Sequence, residues 1–290
     1  MTETAHFHIN LIALQGDYFR RLQHQLDMTK VLQVGCSTVS AENIAQAQDF
    51  GSFEPANGAQ LSHEEARNLA HDWLVRWFLR DAIEATALFL DECLKICALT
   101  ELATRGRATG EELDRVLNVL PHEHHKLPFP TKIDRLASRH GVRPATASFA
   151  LSLNRARRCL VHRLGLVTEA DVDQSGLFRI SFLRAKAIAV GKLSGTETEI
   201  DRPGIQITEE SSLTLRLDEH IIDFRAGEII KLSPREIYDT IITLWRFGID
   251  MGLSIAEYTS RSGHVVNKVS TEVAMTVVLE ENVGNIPPAT

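Results

Sequence analysis

From Ser62 to Arg105 the chain carries neither proline nor glycine. A stretch that long without a breaker predicts a helix of about forty residues, continuous or broken once. Its start is marked as well: Ser62 stands three residues before Glu65, the spacing at which each side chain satisfies a backbone N–H that the first helical turn leaves without a partner. Leu69, Trp73, Leu74, Trp77, Phe78, Ile83, Ala87, Phe89, Leu90, Leu94 and Ile96 are too many for one narrow apolar stripe, so this helix must pack on several neighbours or on another subunit.

Residues 109–165 read as the rest of a bundle. Thr109 and Glu112 repeat the capping spacing and predict a short helix to about Leu120, which Pro121 is expected to end. The segment from Pro121 to Pro130, with His122-Glu123-His124-His125 inside it, is expected to be a loop. Pro130 or Thr131 opens a helix over Lys132 to His140, which Gly141 terminates in the left-handed region. Pro144 presets a further helix from about Ala145 to His162, with the exit at Gly165. Helices ordered long, short, short and medium are most simply packed up and down.

On the N-terminal side, Phe7 to Leu32 favours helix from Asp17 onward, and Gln33 to Gln60 reads as a connection with at most a short helix over Ala41 to Gln48. Beyond Gly165 the period changes to two in Phe178-Arg-Ile-Ser-Phe182 and Leu213-Thr-Leu-Arg-Leu217, which predicts a small antiparallel sheet that Ile205-Gln-Ile207 and Ile221 to Ile230 would extend. Ser233-Pro234-Arg235-Glu236 combines a cap, a proline at the first helical position and a glutamate at the third. The helix it opens should cover the sheet or pack on the bundle. Two apolar stretches, Val265 to Val269 and Ala274 to Leu279, would form an arm or an added strand. The expected fold is mainly α: an up-and-down helical bundle with a small C-terminal antiparallel sheet and a covering helix. The expected divisions are an N-terminal helical segment and linker at 1–60, the bundle at 61–167, and the sheet, helix and tail at 168–290.

Acidic residues outnumber basic ones by 38 to 31, which excludes a surface that attracts nucleic acid everywhere, so any RNA contact must be local. Cys36, Cys93, Cys97 and Cys159 form no Cys-x-x-Cys pair, and reduced buried thiols are expected. Cys93 and Cys97, one helical turn apart, read as small core residues rather than a redox or metal pair. No apolar run suits a membrane span and residues 1–10 lack the pattern of a signal peptide, so a cytoplasmic protein without membrane association is expected.

Against that acidic background Arg155, Arg157, Arg158 and Arg163 surround His162 within nine residues. At about 100° per residue, Arg155 and Arg158 lie roughly 20° and 40° from His162 around a helix, and Arg157 about 140° away. An imidazole can move a proton to or from a 2′-hydroxyl or a leaving oxygen while a guanidinium holds the phosphate, with no metal or other cofactor. The same residues would also suit a plainly structural end to a helix, with the histidine on the negative end of the dipole and the arginines paired to carboxylates of the long helix. His122 to His125 offers four ligand types in four residues, but neighbours on a loop converge poorly on one ion, and no metal site is expected. Trp73 and Trp77 could stack bases, although their helical spacing fits core or interface better.

The run Leu127-Pro-Phe-Pro-Thr-Lys-Ile-Asp-Arg-Leu136, followed by Ser152-Leu-Asn-Arg-Ala-Arg-Arg-Cys-Leu-Val-His-Arg-Leu-Gly-Leu-Val167, resembles the final part of the HEPN superfamily of helical domains, over about residues 62–167. That superfamily carries Arg, four to six residues, then His on its last bundle helix. The resemblance implies a metal-independent endoribonuclease in which two bundles dimerise and build one composite cleft. It assigns Arg157 and His162 as the catalytic pair, with Arg155 also at an allowed spacing; beside them Arg155, Arg158 and Arg163 are the residues expected to hold phosphate or RNA. Arg158 stands where the family often has Asn, a change that either strengthens phosphate binding or marks a member without cleavage. RNA, a second copy and a protein partner or antitoxin are the partners implied, in a toxin or defence setting. The other reading is a dimerisation or binding module whose sheet recognises a partner. A carboxylate-paired, buried Arg157 beside a His162 sealed from solvent would mark it.

Overall fold

Helix α3, His63–Thr104, runs unbroken for 42 residues and begins with the capping box of Ser62 and Glu65. It lies at the centre of the molecule, as its surplus of apolar positions requires. Leu79, Leu90, Cys93, Leu94 and Cys97 are all fully enclosed. The computed structural model describes residues 9–48, 61–106, 108–201 and 205–264. Phe7, the turn residues Gly51, Pro55 and Gly58, and the apolar stretches at 265–269 and 274–279 lie outside the described residues.

Around α3 pack α1 (Leu11–Thr38), α6 (Phe129–His140), α7 (Ala147–His162) and α8 (Pro234–Arg261), with the short α2 (Ala41–Gln48) leading in from the N-terminal side. The fold is therefore mainly helical, with a small antiparallel sheet and a C-terminal helix. One buried apolar cluster joins Tyr18, Leu22 and Leu26 of α1 to Phe78 and Leu90 of α3, Leu136 of α6, Leu153 of α7 and Phe247 of α8. Helix α1 starts six residues before Asp17 and extends to Thr38, into a region read as a connection.

Pro121 does not end its helix. Residues Gly110–Asp114 (α4), a π-helical turn at Arg115–Val119 and Leu120–His125 (α5) form one continuous rod, opened by the capping box of Thr109 and Glu112. The N–H of Leu120 bonds the carbonyl of Arg115, five residues back. One such widened turn accommodates a ring that an α-helical interior would reject. His122 to His125 consequently lie on a helix, not a loop. Gly141 ends α6 at φ 68°, as expected.

The sheet has the order β2-β1-β3, built from β1 (Leu177–Gly191), β2 (Glu197–Glu199) and β3 (Ser211–Arg225). Residues 205–207 do not join it. Phe178, Ile180 and Phe182 alternate into the core. Their intervening neighbours turn backbone groups away from β3, and helix side chains take them up. Ser152 Oγ of α7 accepts from Ser181 N at 3.0 Å and donates to Arg179 O at 3.3 Å. Thr243 Oγ1 of α8 accepts from Leu183 N at 2.7 Å, and Arg235 Nη2 donates to Ala185 O at 2.7 Å. A strand edge that would otherwise template aggregation is thus closed by α7 and α8.

Helix α8 does more than cover the sheet. Its Gly248 and Gly252, one turn apart, admit α1 so closely that a Cβ on Gly248 would stand 2.6 Å from Tyr18 Cε1 and one on Gly252 2.1 Å from Gln15 Nε2. Gln15 donates to Gly248 O at 3.0 Å, and the Tyr18 hydroxyl donates to Leu244 O at 3.0 Å while lying 3.0 Å from Thr86 Oγ1. Gly248→Leu is therefore expected to cost roughly 1–3 kcal/mol through overpacking. Gly16→Ala, on the exposed side of α1 with open space around it, is expected to gain about 0.5–1 kcal/mol from helix propensity. Urea midpoints of the two variants check the contrast, and a neutral Gly248→Leu would mean that α1 is free to move off.

Candidate functional site

Helix α7 ends where Leu164 and Gly165 take φ 55° and 87°. A Cβ on Gly165 would sit 3.3 Å from Leu160 and 3.4 Å from Ile230 O, so the position is reserved for glycine on two counts. The chain then pairs outward: Ile230 N donates to Gly165 O, and Val167 N to Glu228 O, each at 2.9 Å. The exit from the C-terminal turn of α7, which carries His162, is thus tied to residues 228–230.

On that helix Arg155, Arg158 and His162 are exposed and form one stripe, as their helical angles predict. Among the described residues none of the three is in an ion pair. The Arg155 guanidinium lies over the ring of Phe178, 5.9 Å from its centroid. Arg157 faces elsewhere. It is half-buried, its Nε is enclosed with no hydrogen-bond partner, and no carboxylate pairs with it among the described residues. Arg163 is engaged: it pairs with Asp171, whose other oxygen accepts from Thr168 N at 2.9 Å and from its hydroxyl at 2.7 Å. A phosphate would have to compete with that carboxylate for Arg163.

Among the described residues the marks of the binding-module alternative are both missing, since Arg157 pairs with no carboxylate there and His162 is open to solvent. One mark of a worked catalytic histidine is missing too. Among the described residues His162 has no hydrogen-bond partner to set its ring orientation.

Three of the four thiols are core groups, whereas Cys36, near the end of α1, is only half-buried. Cys93, Cys97 and Cys159 are free and buried, burial pushes Cys97 up to about 12, and the Cys159 thiol donates to Leu166 O at 3.2 Å. The three histidines of α5 divide between faces, His124 inward and His122 and His125 outward. Among the described residues no three His, Cys, Asp or Glu side chains come together as a metal cluster would need. Trp73 and Trp77 are exposed and face one another at 5.4 Å, with Arg80 over Trp77.

Sequence reasoning overlooked two enclosed histidines. His124 on α5 and His140 on α6 are 5% and 7% exposed, and burial pushes both below the ordinary imidazole value of 6.5. Arg135 lowers His124 further. For His140 the nearby Glu101, with Oε1 3.0 Å from Nδ1, pulls the other way and does not prevail. The unfolded chain thus takes up protons near pH 6.5 that the folded chain refuses. This contribution to stability is complete above pH 6.5 and is lost as the pH falls below it. Urea midpoints should decline between about pH 7 and about pH 5.5, and less so in His124→Gln. Equal slopes for parent and variant would refute a role for His124. The signal in the sequence was the spacing of His124 and Leu120 on one helix face, hidden by reading Pro121 as a stop.

Comparison of the chain with family models, with curated proteins and with solved structures finds no match in any of the three. Among the described residues no helix is long and apolar enough to cross a membrane.

Proposed function

We propose that the chain is an RNA-directed protein of HEPN type that works as a homodimer and cleaves RNA without a metal ion, using the Arg155, Arg158 and His162 stripe of α7. What supports the reading is that three side chains suited to a phosphodiester share one exposed face, unpaired among the described residues, in a chain with an acidic surplus. Charges already paired would have to give up their partners before binding phosphate. These do not.

The chemistry balances with side chains alone. A neutral imidazole takes the proton of the 2′-hydroxyl as the 2′ oxygen bonds to phosphorus, the bond from phosphorus to the 5′ oxygen breaks, and a protonated imidazole supplies the proton that the 5′ oxygen takes up. Guanidinium groups offset the charge that gathers on the phosphoryl oxygens. The products are a 2′,3′-cyclic phosphate and a 5′-hydroxyl. One protomer brings one His162, so two copies supply both acid and base. The HEPN resemblance gives Arg157 the phosphate role, whereas the exposed stripe favours Arg155 and Arg158.

The test is incubation of the purified chain with single-stranded RNAs in excess chelator, alongside sedimentation. Cleavage leaving 5′-hydroxyl ends is expected, from a particle of twice the 32.4 kDa chain mass. Intact RNA throughout would reject the enzymatic reading. The unoriented ring of His162 favours a second reading, a non-catalytic RNA-binding bundle, which predicts salt-dependent binding and no cleavage.

A further inference from the structure

A different part of the molecule carries a built pocket. Two adjoining hollows of about 230 and 260 Å³ open between α3, the α4–α5 rod and α6. Together they reach the size range of roughly 300–1,000 Å³ typical of small-molecule sites. Leu94, Ala98 and Leu120 form an apolar floor, and Arg115, Arg135 and Arg139 bring three guanidiniums to its walls. None of these belongs to the α7 stripe.

The charges in the cleft do not cancel. Arg139 is spoken for by Glu101, through Nη2 to Oε2 at 2.8 Å and Nε to Oε1 at 3.3 Å. Glu112 lies 3.7 Å from Arg105, and Glu123 is exposed on α5. Among the described residues Arg115 and Arg135 pair with no carboxylate. His124 lines the same hollow, and its enclosed Nδ1 has no hydrogen-bond partner. A buried polar atom without a partner costs about 1–3 kcal/mol, so its retention beside two unpaired cations points to a ligand that completes the set.

We infer that this cleft binds a small molecule in which a phosphomonoester is attached to an apolar body. Two guanidinium forks call for a dianion with several acceptor oxygens, since one carboxylate fills one fork. A phosphomonoester has three oxygens and a charge of about −1.5 to −2 near pH 7. The apolar floor takes the body of the ligand, and His124 Nδ1 meets one polar group on it. A free inorganic phosphate would leave the floor empty.

Phenyl phosphate is the minimal probe, titrated calorimetrically into the full chain beside its two halves, inorganic phosphate and phenol. Phenyl phosphate is expected to bind at least tenfold more tightly than inorganic phosphate, and phenol not measurably. Arg135→Gln and the exposed Arg115→Gln should each weaken it about tenfold or more while melting near the parent temperature, and His162→Ala should bind as the parent does. The inference is overturned if phenyl phosphate binds no better than inorganic phosphate, if Arg115→Gln leaves binding unchanged, or if His162→Ala abolishes it. Because the last variant alters the α7 stripe alone, failure of the RNA-cleavage reading and failure of this one are told apart.

Discussion

Asp91→Leu is expected to cost the folded protein about 3–5 kcal/mol, a large share of what a domain has to lose. Asp91 projects from α3 toward both α5 and α6. Its Oδ1 is 2.6 Å from Lys132 Nζ and its Oδ2 is 3.3 Å from His125 Nδ1. Lys132 is only 2% exposed, and among the described residues its ammonium reaches, besides Asp91, one carbonyl, Ala87 O at 3.3 Å. Removing the carboxylate strands that cation in the core. The expected reading is a lower urea midpoint with an unchanged slope. Asp91→Leu combined with Lys132→Met should recover most of the loss, because the penalty belongs to the uncompensated charge rather than to the absent attraction. If the double variant is no more stable than the single one, the penalty has been wrongly assigned.

The largest effect on activity is expected at His162. On the proposal of RNA cleavage by the α7 stripe, loss of its proton-transfer group removes about 10²–10⁴-fold in rate, so His162→Ala should reduce cleavage to that extent. Its melting temperature should barely move, because the exposed side chain makes no hydrogen bond or ion pair among the described residues. Arg155→Gln and Arg158→Gln would weaken RNA binding and flatten its salt dependence by about one phosphate contact each. Parent-like cleavage by His162→Ala would leave α7 as a binding face at most. The contrast with Asp91→Leu separates function from folding: one change silences without unfolding, the other unfolds without touching α7.

Local signals were legible and distant ones were not. The caps at Ser62, Thr109 and Ser233 and the left-handed stop at Gly141 depend on residues a few positions apart, and all four stand where the sequence places them. The stripe of Arg155, Arg158 and His162 was legible for the same reason, as helical angle is a local property. Pro121 misled because a π-helical turn tolerates it, an option whose stability rests on packing against α3 rather than on the proline's neighbours in sequence. Lys132 gave no warning of burial, since its partner Asp91 lies far back along the chain, on α3. Gly248 and Gly252 read as unremarkable helix interior until Gln15 and Tyr18 are seen against them. The cleft of Arg115, Arg135 and His124 draws on three separate segments, so no single stretch of sequence announces it.

The seating of α1 on the two glycines of α8 also bears on how the chain is made. Gln15 bonds a carbonyl 233 positions later, so α1 meets α8 only after the long stretch between them has been synthesised. At roughly 5–20 residues per second, α1 waits about 10–50 seconds for α8, and until then α3, with Phe89 stacked on Tyr18 and Thr86 at its hydroxyl, covers only part of its apolar face. Through that interval the side of α1 that faces α8 stays open, and holding it is work for a chaperone or for the slow closing of a very long loop.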